Sequence, residues 1–395
     1  MGEQFMSLKK YLRAAVCCAS IFVVQPAFAE TGVTDNTITI GFFGALTGPV
    51  SLYGYPVING AVAVYEAVNK SGGIHGRKLQ FVYEDSACDA AKARAAVKRL
   101  VFTRDVFAIH GGSCSGAVAA ARDVIIDSKA PFMVLTTVLD SISTPVAKNI
   151  FTTTQPASYD GATMAKFIAS NPNIKKVAIV ANSDDWADAH LQAIRSTLKE
   201  ASIEIVSDEI LERNASDATT QVLKSQQADA DAVLLVTYPN EAAVFLRDAN
   251  KYGLKGPFVG ASSQMDMLAV AERAGGVDYV SNYFVSSYLA YPAGADKSKE
   301  YADLYAEHFP DDKLQTLSYY GMSGAYAVVD ALKAAGPNLT REKFIDALNL
   351  LSKSRAGPAH CEITFSENDH QGCKLGHVWA IRGGVVTSIG ETWPE

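Results

Sequence analysis

The chain has 395 residues, of which 48% are hydrophobic, 19% charged and 9% aromatic. That is a globular composition, too apolar for disorder and too long for one small core, so two lobes are expected. The 35 basic residues against 42 acidic ones leave a net charge of −7, which argues against a nucleic-acid partner, because phosphate backbones are gripped by clustered Lys and Arg.

Residues 1–29 read as an export signal. Lys9, Lys10 and Arg13 precede an apolar run from Ala14 to Val24, and Ala27-Phe28-Ala29 supplies the small-x-small pattern of a cleavage site before Glu30. The run is about half the ~20 residues that span a bilayer. Losing Lys9, Lys10, Arg13 and Glu3 with this segment takes the net charge from −7 to −9. Cys17 and Cys18 leave too, and Ala14-Ala15-Val16 before them lacks the Leu-x-small order of a lipid-anchored cysteine. Cys88, Cys114, Cys361 and Cys373 remain, an even number for an oxidising compartment, so two disulfides are expected. Cys361 and Cys373 flank the polar stretch Ser366 to His370 between strand-like segments, where pairing would staple a hairpin. The alternative is two free thiols.

From Ile38 onward, short β-branched runs alternate with amphipathic segments. The pattern predicts strands at Ile38–Phe43, Lys78–Tyr83, Ala108–Ile109 and Phe132–Leu135, with helices at Ile58–Val68, Ala90–Thr103 and Ala117–Ser128 between them. This is a βαβ series and implies a parallel, doubly wound sheet. A second series follows Thr154: helix Tyr159–Ala169, strand Lys176–Ala181, helix Ala187–Ala201, strand Glu204–Ile210, helix Thr220–Gln227, strand Ala232–Val236, helix Asn240–Tyr252 and strand Phe258–Gly260. Next come a long strand at Tyr279–Tyr288 and helices at Ser298–His308, Met322–Ala335 and Thr340–Leu350. Antiparallel strands through Val378–Ile381 and Val385–Thr387 close the chain. Since the last hundred or so residues lack a third βαβ core, they complete the two lobes already begun, and each lobe is discontinuous.

Catalytic and cofactor constellations are not legible. The histidines (His75, His110, His190, His308, His360, His370, His377) are scattered without a His-Glu-x-x-His pair or ligand spacing. No phosphate-loop lysine motif occurs, and Gly41, Gly44 and Gly48 do not have dinucleotide spacing. The segment from His110 to Gly116 lies between a strand and a helix, as a nucleophile would, yet neither Ser113 nor Ser115 has the flanking glycines of Gly-x-Ser-x-Gly. The helix that follows points free N–H groups and a positive dipole end beyond the strand, so Ser115 beside them suits a carboxylate. The alternative is that Ser115 merely caps that helix.

Gly44-Ala-Leu-Thr-Gly-Pro49 with Tyr53-Gly54, then Asn69-Lys-Ser-Gly-Gly-Ile-His-Gly76, then Glu84-Asp-Ser-Ala-Cys-Asp89, taken in this order, resemble the amino-terminal lobe of the periplasmic leucine/isoleucine/valine-binding proteins. The similarity extends, more weakly, over nearly the whole mature chain. It implies an α/β fold of the type I periplasmic binding protein class, two doubly wound parallel-sheet lobes joined by three crossovers. Residues 36–156 plus 286–373 would form the N-terminal lobe, and 157–285 plus 374–395 the C-terminal lobe. The family's disulfide maps to Cys88 and Cys114.

The resemblance also implies a ligand between the lobes. Ser115 takes the place of the serine that holds the carboxylate. The usual Ala-Thr turn falls on Val138-Leu139, so that threonine hydroxyl is missing, with Thr136 and Thr137 close enough to restore it. The glutamate that holds an α-ammonium falls on Ser262, which removes a charge-assisted contact of roughly 1.5–3 kcal/mol. Tyr53, Trp186 and Tyr238 would line the rest, and Glu241 or Asp266 is the alternative source of an anion. The expectation is a periplasmic solute-binding component of a branched-chain-amino-acid-type ABC importer, monomeric, without cofactor or metal, and partnered by inner-membrane permease and ATPase subunits. Its ligand would be a small organic acid, aromatic ones included, more readily than leucine. The alternatives are leucine/isoleucine/valine binding proper, a ligand-sensing subunit for a membrane receptor and, behind both, an exported hydrolase.

Overall fold

The computed structural model describes residues 30–48, 51–289, 298–354, 357, 358 and 362–392. The export-signal segment and Cys361 lie outside them, as does the side chain of Tyr53. Two sheets organise the chain. The first is all parallel, in the order β2 (Lys78–Asp85), β1 (Thr37–Gly44), β3 (Ala108–Gly111), β4 (Phe132–Val134), β5 (Ile150–Thr152). The second runs β12 (Val385–Gly390), β11 (Val378–Arg382), β10 (Tyr283–Ser286), β9 (Phe258–Gly260), β8 (Ala232–Val236), β6 (Lys176–Ala181), β7 (Glu204–Ile210). Its strands β7 to β10 pair in parallel, and β11 and β12 add an antiparallel edge.

Period-two alternation splits each sheet between two helical layers. On β1, Ile38, Ile40 and Phe42 face α1 (Ser51–Lys70) and α11 (Thr316–Ala335), while Phe43 faces α2 (Ala90–Phe102) and α3 (Ser115–Ser128). On β6, Val177 and Ile179 face α5 (Ala157–Ala169) and α6 (Asp185–Glu200), while Ala178 and Val180 face α7 (Thr219–Gln227), α8 (Pro239–Tyr252) and α9 (Met267–Ala274). Helices α1 and α11 touch backbone to backbone: a Cβ added at Gly60 would lie 1.9 Å from the Ser318 carbonyl oxygen, and one at Gly321 1.8 Å from that of Val57.

The chain passes between the two cores more than once. Tyr288, Leu289, Phe365 and Cys373 belong to the core of β1 and α11, whereas Val285, Trp379 and Ile381 belong to that of β6 and α8. The remaining helices are α4 (Asp140–Ser143), α10 (Lys299–His308) and α12 (Arg341–Asn349). Among the described residues no helix is long and apolar enough to cross a membrane.

Several sequence-based boundaries need correction. Helix α1 starts at Ser51, not Ile58, despite Gly54 and Pro56. Gly54 lies where an added Cβ would sit 2.0 Å from the Ala45 carbonyl oxygen, so it permits a close approach inside a helix. Helix α11 starts at Thr316, not Met322, behind a reciprocal capping box of Gln315 and Ser318. The long strand at Tyr279–Tyr288 reduces to Tyr283–Ser286 after a 3-10 turn at Val277–Val280, because its parallel neighbour β9 has three residues to pair with. Strand β5 and helices α4 and α9 went unpredicted. The first two are three and four residues long and too short to show a period.

Candidate ligand-binding site

A cavity of about 520 Å³ lies between the two sheets, lined by the loops that leave the carboxyl ends of β3 and β4 on one side and of β6, β7, β8 and β9 on the other. Open α/β sheets bind ligands at this end. On the first side stands the amino terminus of α3. Its N-cap is Cys114, which makes no side-chain capping bond, and its first turn has no acidic residue. Ser115 is therefore the first helical residue and not the cap. It lines the cavity, and its hydroxyl has no hydrogen bond among the described residues. The orphan amides and the positive dipole end of α3 stay available to an anion.

Two ties hold that terminus. The Cys88–Cys114 disulfide, with Cα atoms 5.6 Å apart, joins it to the loop after β2. Ser113 Oγ accepts from the Ala45 amide at 2.9 Å. Val138 lines the cavity, and so does Thr136, whose hydroxyl donates to the Ser113 carbonyl at 3.4 Å. A threonine hydroxyl thus stands two residues before Val138. Leu139 does not line the cavity: it is the N-cap of α4 and turns into the core behind α3. Cys373 is buried and disulfide-bonded.

The opposite wall is a column of flat groups. The Arg213 guanidinium lies 3.9 Å over the Tyr238 ring, Tyr238 stacks on Trp186 at 4.7 Å, and Trp186 meets His190 at 4.5 Å. Buried Asn182, just past β6, orders two of these loops: its oxygen accepts from the Tyr238 amide at 3.0 Å and its amide donates to the Leu211 carbonyl at 2.6 Å. Ser262 lines the cavity as well. Tyr320, from α11, reaches across and hydrogen-bonds Ser262. Burial pushes its phenol well above the ordinary tyrosine range.

Carboxylates are present, though not the expected ones. Asp184 caps α6 by accepting from the Ala187 amide at 2.9 Å, and its other oxygen lies 3.6 Å from Arg213 Nη1. Asp185 faces α3, with its Oδ2 3.9 Å from where a Cβ on Gly116 would sit. Glu241 and Asp266 instead line an adjoining chamber of about 450 Å³ that shares Arg213, Tyr238, Ser262 and Tyr320 with the first. Sequence reasoning missed Asp184, Asp185, Arg213 and Tyr320. The first two could have been found by asking which residues follow a parallel strand's carboxyl end; Tyr320 could not, since it lies within helix α11 and follows no strand.

Two α/β layers built around parallel sheets, with an aromatic-walled cleft at the strand ends, define a binding protein of the type I periplasmic fold. The chain matches the sequence profile described as "Periplasmic binding protein" over residues 37–381, and it belongs to that family. It is 28% identical over 233 residues to the leucine-, isoleucine-, valine-, threonine- and alanine-binding protein of Pseudomonas aeruginosa, an alignment covering 59% of this chain and 62% of that one. The match therefore spans less than two thirds of that relative's length. With the Leu/Ile/Val-binding protein homolog 7 of Brucella suis the identity is 25% over 337 residues, 82% of each chain. Among solved structures, LivJ of Streptococcus pneumoniae in complex with isoleucine superposes with a TM-score of 0.76 at 22% identity, covering 90% of this chain and 100% of that one. A fatty acid ABC transporter substrate-binding protein from Thermomonospora curvata gives 0.77 at 24% identity, covering 92% and 94%. Neighbours of one fold thus carry names with different ligands.

Proposed function

We propose that this protein is the solute-binding component of an ABC importer and that it takes a small carboxylate in the inter-sheet cleft. The observation that carries the reading is the amino terminus of α3: an uncapped helix end with a free Ser115 hydroxyl, facing a wall of Trp186 and Tyr238. Helix amides grip the carboxylate and the aromatic wall takes a flat or apolar body. Residues 36–156 with 286–373, and 157–285 with 374–395, act as two lobes that close over the solute. The closed form is what inner-membrane permease and ATPase subunits receive, in the periplasm, from a monomer.

An organic acid is the first reading, because the resemblance puts Ser262 in the place of the family's ammonium-binding glutamate. A specific observation favours a second. Asp185 faces the α3 terminus from across the cleft, so a zwitterionic amino acid could lay its carboxylate on α3 and its ammonium against Asp185. Mass spectrometry of ligand released from the denatured protein, followed by isothermal titration with leucine, isoleucine, valine, benzoate and a phenylpropanoid acid, separates the two. Leucine binding tighter than every aromatic acid removes the organic-acid reading, and no binding by any of the five removes both. Asp185→Asn weakens an amino acid and leaves a simple acid as tight or tighter.

A further inference from the structure

Behind the aromatic wall lies a polar pair that does not itself line the cavity. Asp160 of α5 and His190 of α6 have side chains 1% and 0% exposed, with His190 Nε2 3.1 Å from Asp160 Oδ2. The same Oδ2 accepts from the Ser262 amide at 2.9 Å, while His190 Nδ1 lies 2.8 Å from the Trp186 carbonyl oxygen. We infer that Asp160 and His190 are a positioning pair that holds Trp186 and Ser262, two walls of the cleft from different loops, in their ligand-gripping arrangement. This inference rests on the ligand-site reading above.

Hydrogen-bond bookkeeping restricts what the pair can be. The Trp186 carbonyl only accepts, so Nδ1 must carry a hydrogen. The Ser262 amide only donates, so Oδ2 must offer a lone pair. All three bonds coexist when a single proton lies between Oδ2 and Nε2, as imidazolium with carboxylate or as imidazole with carboxylic acid. Either form is neutral overall, which is what allows the pair to be buried. An asparagine at 160 cannot reproduce this. Its oxygen in the Oδ2 position would demand a second N–H from His190 and leave an unbalanced imidazolium, and its NH₂ there would face the Ser262 amide.

Stability alone does not account for the pair. A buried ion pair is often no more stabilising than apolar residues of the same volume, and Asp160 Oδ1 has no hydrogen-bond partner among the described residues. The packing is also close, since a Cβ on Gly161 would lie 2.5 Å from the His190 carbonyl oxygen. What the pair does accomplish is orientation. The imidazole backs the Trp186 ring, and the carboxylate fixes the loop whose Ser262 hydrogen-bonds Tyr320 across the cleft.

The test compares Asp160→Asn with the double variant Asp160→Leu/His190→Leu, both in the full mature chain. Titration with leucine and with a phenylpropanoid acid, whichever the wild type binds, should show affinity about tenfold weaker or worse in both variants. The double variant should nonetheless melt at or above the wild-type temperature. Double-variant affinity within about twofold of wild type would reduce the pair to core packing. If Asp160→Asn does not fold, the double variant decides alone; if neither folds, His190→Gln, which keeps a donor but cannot bridge both partners, is titrated in their place with the same expectation. Hydrogen exchange of the Ser262 amide in ligand-free protein supplies a reading that needs no ligand. Faster exchange in the variant that folds supports the pair even if none of the carboxylates binds, and unchanged exchange overturns it.

Discussion

Helices α3 and α6 start at the same cleft, each at the carboxyl end of a parallel strand, and they use their amino termini in opposite ways. Helix α6 satisfies its own: Asp184 caps it, and Asp185 and Asp188 add negative charge to its first turn. Helix α3 has neither a side-chain cap nor an acid there and is held in place by a disulfide instead. Equivalent elements thus divide the work. One leaves its first amides without a side-chain cap, and the other presents an aromatic wall and carboxylates. The division extends to the buried histidines. His190 has a carboxylate partner, Asp160 at 3.1 Å, whereas His110 of β3 meets the Tyr65 hydroxyl at 2.9 Å and its Nε2 has no partner among the described residues.

That contrast gives the largest expected effect. Burial lowers the His110 pKa from 6.5 to about 3. Between those values the unfolded chain binds a proton that the native state refuses, so stability falls as pH drops from 6.5 towards 3, by on the order of 4 kcal/mol from this group alone. Urea unfolding across that range should show a flatter curve for His110→Gln than for the wild type. Equal slopes would mean that His110 is not held neutral, and the difference between the two histidines would vanish.

The next largest concerns how α3 is held. Cys88 and Cys114 close a loop across a sequence separation of 26 residues, so replacing both with alanine should cost about 3 kcal/mol of stability. The same variant should bind its carboxylate more weakly, because the α3 terminus loses its tie. A variant that loses stability while keeping full affinity would show that α3 is positioned by its core contacts alone. Ser115→Ala comes below this, at about 1–3 kcal/mol of affinity with an unchanged melting temperature. Unchanged affinity on calorimetric titration would remove Ser115 from the site.

Much of this division was legible in sequence, and what was not has a common cause. Strands such as Lys176–Ala181 and helices such as Ala90–Phe102 announce themselves through local periodicity, and Ser115, Trp186 and Tyr238 stand at strand-to-helix turns where ligands bind. Leu139 stands one residue beyond Val138 and yet belongs to the core, because α4 begins there and turns it inward. Tyr320 enters the site from the second turn of α11, about sixty residues after Ser262, through packing that no local pattern encodes. That Asp185, at the start of α6, faces the α3 terminus near Gly116 likewise follows from packing across the cleft and has no local signal in sequence.

Asp184→Ala gives the smallest effect and the sharpest test of the asymmetry. Its carboxylate has two duties, the cap on Ala187 and the 3.6 Å approach to Arg213. The cap is worth about 1 kcal/mol, and the ion pair, with both side chains about a third exposed, adds little in water. A loss of about 1 kcal/mol in chemical denaturation is therefore expected, with carboxylate affinity held or slightly raised because an anion has left the cavity. A loss of affinity comparable to that of Ser115→Ala would mean that α6, too, presents its terminus to the ligand through Asp184, and the two helices would have to be treated as one binding surface.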